Sequence, residues 1–373
     1  MRKLLALVVL LTIVIAAGVF SESEWLPVYA DSQKVSNLAQ LENIIAKKVQ
    51  GREEEFTVTY SGDGKELSKK LPDVIKQAIA VDDYTAYIVD SYLYSIRSWS
   101  NSAKIKLTVA YRETPEQTAK VDLLVKQKVK SLIKPGMNDH QKVKAIHDWI
   151  VFNVAYDTSL KRYTAYEALI DGKAVCQGYA LLTHKMLEEA GITGRIIEGT
   201  VASGDHAWNL VNLNGNWYHL DVTWDDPVPD QGKKASYGYY LKTDAQMRAD
   251  HKWTRSYPKA ATDYQDTLAK LIARPSEASR VPFYRNLEKQ LGIVWLKPEH
   301  TVATAQQLKQ RISEAVKAKE KKFTVRYLRG KQVEKDLKTA MTALSSSIAS
   351  YSASYQTIGT DGAVLLEITI ELR

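Results

Sequence analysis

Residues 174–191 read Ala-Val-Cys-Gln-Gly-Tyr-Ala-Leu-Leu-Thr-His-Lys-Met-Leu-Glu-Glu-Ala-Gly, and this stretch decides how the middle of the chain folds. Its apolar residues recur at helical spacing, and Gly191 stands where a helix C-terminus favours glycine. The pattern predicts a helix from Ala174 to Ala190 with Cys176 in its first turn. Three extended stretches follow, over residues 194–201, 208–213 and 217–222. The Asn214-Gly215 pair between the last two calls for a tight hairpin, because both residue types tolerate positive φ. A helix feeding an antiparallel hairpin is an α+β arrangement. It places His206 at the start of one strand a short distance from Asp221, near the end of its partner.

Cys176 is the only cysteine in the 373 residues. Arg2 and Lys3 precede an apolar run from Leu4 to Phe20, so residues 1–30 are expected to be a signal peptide or an N-terminal membrane anchor. Val28-Tyr29-Ala30 offers a small-residue cleavage site, whereas the run's length is close to the lower limit for a membrane span. Exported chains pair their cysteines or avoid them, and one cysteine makes no internal disulfide. The bland role for it is a small buried hydrophobe. The histidine and aspartate contexts downstream point instead to a nucleophile.

A helix N-terminus favours the thiolate of Cys176 through its dipole. An imidazole at His206 takes the thiol proton and later returns it to a leaving group. Asp221 fixes the tautomer and ring orientation of that imidazole. Backbone N–H groups in the first helical turn suit a tetrahedral oxyanion. Together these residues make an acyl-transfer site. Gln177, Trp208 and Trp224 are candidate supporting or substrate-groove residues: Gln177 as an oxyanion donor, the tryptophans as a shield, a groove wall or plain packing. His219 lies two residues before Asp221 and would share its face in a strand, where it would compete as a partner. His147, inside an amphipathic helix, reads as a structural histidine. Asp225, Asp226 and Asp230, interrupted by prolines, read as a solvated turn rather than a cation site. No zinc-ligand spacing or glycine-rich phosphate loop occurs, so neither metal nor cofactor is expected.

Several blocks here also carry a resemblance. They are Lys144-Ala-Ile-His-Asp-Trp-Ile150, Tyr156-Asp157, Tyr166-Glu-Ala-Leu169, Ala174-Val-Cys176-Gln-Gly-Tyr-Ala180, Gly204-Asp-His206-Ala-Trp-Asn209, Trp217-Tyr-His-Leu-Asp221-Val-Thr-Trp-Asp-Asp-Pro227, Lys242-Thr-Asp244, Asp250-His251-Lys-Trp253 and Tyr257-Pro258. The region from Asp139 to about Pro258 resembles the transglutaminase-like superfamily of papain-like cysteine enzymes, and its secreted bacterial branch in particular. The resemblance implies that Cys176, His206 and Asp221 are nucleophile, base and orienter. It also implies transamidation or amide hydrolysis, or, in some members, no catalysis.

Outside that region the chain repeats itself. Leu41, Ile45 and Val49 at helical spacing precede Phe56-Thr-Val-Thr-Tyr60, and Leu308, Ile312 and Val316 precede Phe323-Thr-Val-Arg-Tyr327 at a constant offset of 267 residues. Each copy continues into a second helical stretch and ends in a strand that alternates apolar and polar residues, the mark of a sheet with one covered face. The expected organisation is a leader over 1–30, one α/β module over 31–113, the cysteine domain over 114–265, a linker over 266–300 and a second module over 301–373.

A net charge of +8 and a pI near 9.1 suit anionic surroundings. The lysines are spread among acidic residues along helical faces, without the clustered basic, aromatic-interleaved pattern of a nucleic-acid binder. The expectation is an exported, cell-envelope-associated acyltransferase acting on protein or peptide amides through a Cys176 thioester. The alternatives are a non-catalytic binding or scaffold protein of the same fold and a plain cysteine protease. A membrane enters only through the N-terminal segment.

Overall fold

The computed structural model describes residues 33–99, 101–232, 234–357 and 361–373, so the expected leader lies outside the described residues. No helix among them is long and apolar enough to cross a membrane. The chain forms two compact units, with the boundary in sequence between Tyr264 and Gln265.

The first unit begins with β1 (Lys34–Val35), α1 (Leu38–Gln50), β2 (Glu55–Ser61), α2 (Gly64–Ile79), α3 (Asp83–Ile88), β3 (Val89–Trp99) and β4 (Ser102–Tyr111). The strands lie in the order β1-β2-β4-β3, with β1 parallel to β2 and the other pairs antiparallel. Alternation puts Phe56, Val58, Ile105, Leu107 and Val109 on one face. There they join Leu41, Ile45 and Val49 of α1 and Leu67, Leu71 and Ile75 of α2 in a closed core. Asn37 and Asp63 cap the two helices by accepting first-turn N–H bonds.

The middle of the unit starts with α4 (Pro115–Leu132) and α5 (Asp139–Asn153), each opened by a capping box, Thr114 with Gln117 and Asn138 with Gln141. β5 (Ala155–Tyr156), α6 (Ala165–Ile170) and β6 (Lys173–Ala174) lead into α7 (Cys176–Glu189). Almost every side of α7 is covered, with Tyr179, Ala180, Leu181, Leu182, Met186 and Leu187 all buried. It packs on the antiparallel sheet of β7 (Gly194–Val201), β8 (Gly204–Leu213) and β9 (Asn216–Leu220), followed by α8 (Asp244–Met247). Asn214 and Gly215 both take positive φ in the β8–β9 hairpin, as that pair requires.

The second unit carries α9 (Tyr264–Ala273), α10 (Val281–Gln290), β10 (Thr301–Val302), α11 (Ala305–Lys317), β11 (Lys322–Tyr327), α12 (Val333–Ala343), β12 (Ile348–Thr357) and β13 (Val364–Leu372). The stretch expected as a linker over 266–300 therefore contains α9, α10 and three short 3-10 turns. Its apolar residues Leu268, Leu271, Tyr284 and Leu287 are buried, which gives these helices a packed face. The sheet order β10-β11-β13-β12 has the same parallel and antiparallel pairs as the first sheet. Edge strands β3 and β12 are the elements that sequence patterning passes over. Both are rich in serine and tyrosine; β12 is almost wholly exposed, and β3 offers the core only partly buried residues such as Tyr92, Tyr94 and Ile96, a weak signal in sequence.

Candidate active site

Cys176 is the first residue of α7 and is partly exposed, while the residues that follow it go into the core. Two backbone ties hold the approach to the cysteine. The Val175 N–H donates to Arg162 O at 2.8 Å, and the Asp157 N–H donates to Ala174 O at 2.9 Å. The Asp157 carboxylate accepts from the N–H groups of Ser159, Lys161 and Arg162 and from the Ser159 hydroxyl, so the 157–162 loop is rigidly folded. Gly178 is required by close approach. A Cβ there would stand 2.5 Å from that of Ala174 and 2.9 Å from Thr164 O. Val175 occupies the N-cap position and has no side-chain acceptor, which leaves the first turn of α7 uncapped by its own chain.

Opposite the helix, β8 carries His206, and the Asn209 amide donates to Ala180 O of α7 at 3.1 Å, fixing the strand against the helix. His206 Nε2 lies 2.6 Å from Asp221 Oδ2, and both groups are buried. With Nε2 used in this way, Nδ1 is the ring nitrogen left for the Cys176 side chain, which helps favour the charged imidazole. Burial disfavours an imidazolium at His206, but the Asp221 carboxylate, and after it Cys176, outweigh burial and hold its pKa well above the ordinary imidazole range. Burial also disfavours charge on Asp221. His206, His251 and the Trp224 N–H outweigh it there and keep the carboxyl below the usual carboxylate range. The imidazole is thus bonded to a buried carboxylate, while the cysteine that acts on it is partly exposed.

Residues 126–222, which contain all three groups, match the family model of the Transglutaminase-like superfamily. This region is a transglutaminase-like domain. Its sequence is similar to kyphoscoliosis peptidase of Mus musculus, 29% identical over 123 residues covering 27% of this chain and 18% of the relative. The Homo sapiens counterpart is 30% identical with the same coverage. The match therefore spans less than a fifth of those relatives' length. Among solved structures, a TGase is similar at 14% identity and a TM-score of 0.27, with 46% of this chain and 51% of that one covered. The periplasmic domain of TgpA from Pseudomonas aeruginosa gives 16% identity and a TM-score of 0.24, covering 34% and 57%.

Around Cys176, His206 and Asp221, the other candidate residues take definite places. Trp208 is 1% exposed and stacks on His206 with ring centroids 5.7 Å apart, so it walls the site from beneath and lines no open groove. Its indole N–H donates to His219 Nδ1 at 2.9 Å. Gly199, which pairs with His206 across the sheet, leaves room for that indole, since a Cβ would stand 2.6 Å from it and 2.2 Å from Lys252 O. Trp224 is half-buried and tilts against His206 at 5.7 Å and His251 at 4.6 Å. The Gln177 amide donates to Tyr87 O of α3 at 2.6 Å, which ties the cysteine helix to the first module. Asp83 of the same segment takes both the Arg195 guanidinium and the Ile196 N–H of β7.

Two expectations are corrected here. His219 does not share Asp221, because β9 ends at Leu220 and strand alternation no longer governs the next side chain. Its Nε2 goes instead to Asp244, at 2.8 Å. The second imidazole on Asp221 is His251, 3.1 Å from Oδ2. Asp225 and Asp226 form no solvated turn, since both are buried. Asp225 accepts from Tyr239 N–H and meets His147 Nε2 at 3.2 Å, and His147 Nδ1 lies 3.0 Å from Asp148. Asp226 Oδ2 meets the Tyr179 hydroxyl at 2.5 Å, and burial raises its pKa to about 6. His206, Asp221 and His251 also bring three potential metal-ligand atoms within 4.8 Å of one another. Hydrogen bonds between these atoms already account for that closeness.

Proposed function

We propose that this chain is an acyl-transfer enzyme in which Cys176 attacks a protein or peptide amide. The observation that carries the reading is the buried His206, whose Nε2 rests on buried Asp221 at 2.6 Å and whose charged form is favoured by the partly exposed Cys176 at the start of α7. In the first step the Sγ thiolate forms a bond to the amide carbon. The carbonyl oxygen takes the negative charge and is met by backbone N–H groups of the uncapped first turn of α7. His206 then gives its proton to the leaving nitrogen, the C–N bond breaks and a thioester remains. In the second step His206 takes a proton from the incoming amine or water, whose nitrogen or oxygen displaces sulfur. Asp221 supports the imidazolium in both steps and is itself not protonated.

Export through the N-terminal segment and action at the cell envelope complete the proposal. They rest on the sequence of residues 1–30 and on the positive net charge.

The test incubates the purified chain with dimethylcasein and a fluorescent primary amine, and follows amine incorporation, deamidation and backbone cleavage by mass spectrometry. Any of these products in wild type, absent from Cys176→Ala, supports acyl transfer, and the product formed identifies the acceptor and the bond. Labelling of Cys176 that is indifferent to His206 would overturn the reading and favour a non-catalytic scaffold.

A further inference from the structure

His251 has no part in the three-residue arrangement described above, yet it is fully buried against it. Its Nε2 is 3.1 Å from Asp221 Oδ2, the oxygen that also receives His206 at 2.6 Å. Its Nδ1 is 2.6 Å from Asp250 Oδ1, and Asp250 Oδ2 accepts the Tyr239 hydroxyl at 2.6 Å. Both ring nitrogens of His251 therefore face carboxylate oxygens, and both contacts are hydrogen bonds when both nitrogens carry hydrogen. We propose that His251 is a positioning residue of the acyl-transfer site, a second imidazole donor that locks the Asp221 carboxylate in the plane His206 needs, with Asp250 holding His251 in turn.

Three features support this assignment. Among the described residues, Asp221 Oδ1 accepts only the Trp224 N–H, at 3.1 Å, so without His251 these residues hold the carboxylate by one imidazole and one backbone bond. The backbone that carries His251 is stapled beside His206, since Thr200 and Lys252 exchange both backbone hydrogen bonds at 2.8 and 2.9 Å, one residue along β7 from the Gly199 that pairs with His206. The ring itself is boxed by Trp208, Trp224 and Tyr239, with centroids 4.9, 4.6 and 5.3 Å away. In a pocket this dry a lost donor is not replaced by water, and the carboxylate keeps its desolvation cost. Asp250, whose side chain is 38% exposed, is the wet end of a chain running Tyr239, Asp250, His251, Asp221, His206 and Cys176.

The inference rests on the triad reading above, and one experiment separates the two. The second-order rate of iodoacetamide labelling at Cys176 is measured at pH 7 in the full chain for wild type, His206→Ala, His251→Phe and His251→Gln, with thermal unfolding recorded for each. Phenylalanine fills the ring's space and donates nothing, whereas the glutamine amide nitrogen reaches close to the position of Nε2. His251→Phe is expected to label about ten-fold more slowly than wild type, and His251→Gln within about three-fold of it. The downfield proton resonance of the His206–Asp221 hydrogen bond is expected to shift or broaden in the phenylalanine variant and to return in the glutamine one. A folded His251→Phe that labels like wild type beside a slow His206→Ala overturns this inference alone. A His206→Ala variant that labels like wild type overturns the triad reading itself. Should the phenylalanine variant not fold, Asp250→Ala replaces it, with a loss of about three-fold expected and an unchanged rate contradicting the proposal.

Discussion

Two buried carboxylates four residues apart, Asp221 and Asp225, are each bonded to a histidine and to one backbone N–H, yet the chain treats them in opposite ways. Asp221 meets two imidazoles, His206 and the His251 it shares with Asp250, and is held below the usual carboxylate range. Asp225 shares one imidazole, His147, with a second carboxylate, Asp148, and burial holds it above that range. The same residue types at the same depth thus give an ionised orienting group in one place and a reluctant anion in the other. What decides is the ratio of donors to acceptors. Exposure follows the same division. The first group lies beside a partly exposed sulfur, whereas buried His147 packs against buried Tyr240 and partly exposed Tyr237 and presents no nucleophile.

Swapping charge for amide at each carboxylate breaks this comparison most directly. Asp221→Asn is expected to lower acyl transfer by about 10²- to 10⁴-fold, because the amide can leave His206 in the wrong tautomer. Asp225→Asn is expected to stay within about three-fold of wild type. Equal losses in the two variants, measured as amine incorporation per folded molecule, would remove the distinction between them.

The stability effects run the other way. His147→Leu removes the imidazole bonded to buried Asp225 and is expected to cost about 3–5 kcal/mol in denaturant unfolding, with labelling of the folded fraction preserved. A smaller effect is expected at Asp226, whose pKa is raised to about 6 by burial. A raised carboxyl contributes its stability below its unfolded value and loses it as pH rises through the folded one, so above pH 7 the ionised group carries a penalty. The Tyr179 hydroxyl, which has one hydrogen for both Val154 O and Asp226, suits a protonated partner for the same reason. Asp226→Asn is therefore expected to stabilise the protein at pH 8 by on the order of 2 kcal/mol and to change little near pH 4. Equal effects at both pH values would contradict the assignment.

Much of the site was legible in the chain. Cys176, His206 and Asp221 stood out because each sits in a local setting that states its element: a helix start, a strand start and the far side of an Asn-Gly hairpin. His251 was not legible as a partner, though Asp250-His251-Lys-Trp253 was visible as a block. Its contact depends on a segment thirty residues downstream returning to β7, which no local period encodes. Period-2 counting raised only His219 as a competing partner, and it bonds Asp244 instead, since the strand stops one residue short of Asp221. The buried Asp225-Asp226 pair was misread for a related reason. Acidic residues beside proline suggest a solvated turn, and the compensating partners His147 and Tyr179 come from α5 and α7, far away in sequence. In the fold, helices such as α1, α7 and α11 and the core strands followed from apolar spacing, whereas α9 and α10 were passed over as linker. The edge strands β3 and β12 did not, because their residues have little to bury.

The central claim is that Cys176 is coupled to His206. A single cysteine makes this directly measurable, since iodoacetamide in the native range reports Cys176 alone. The measurement is the labelling rate between pH 5 and 9 for wild type beside His206→Ala. Wild type is expected to stay reactive to lower pH than the variant, with the difference largest on the acid side. Superimposable profiles from two folded proteins would contradict the account.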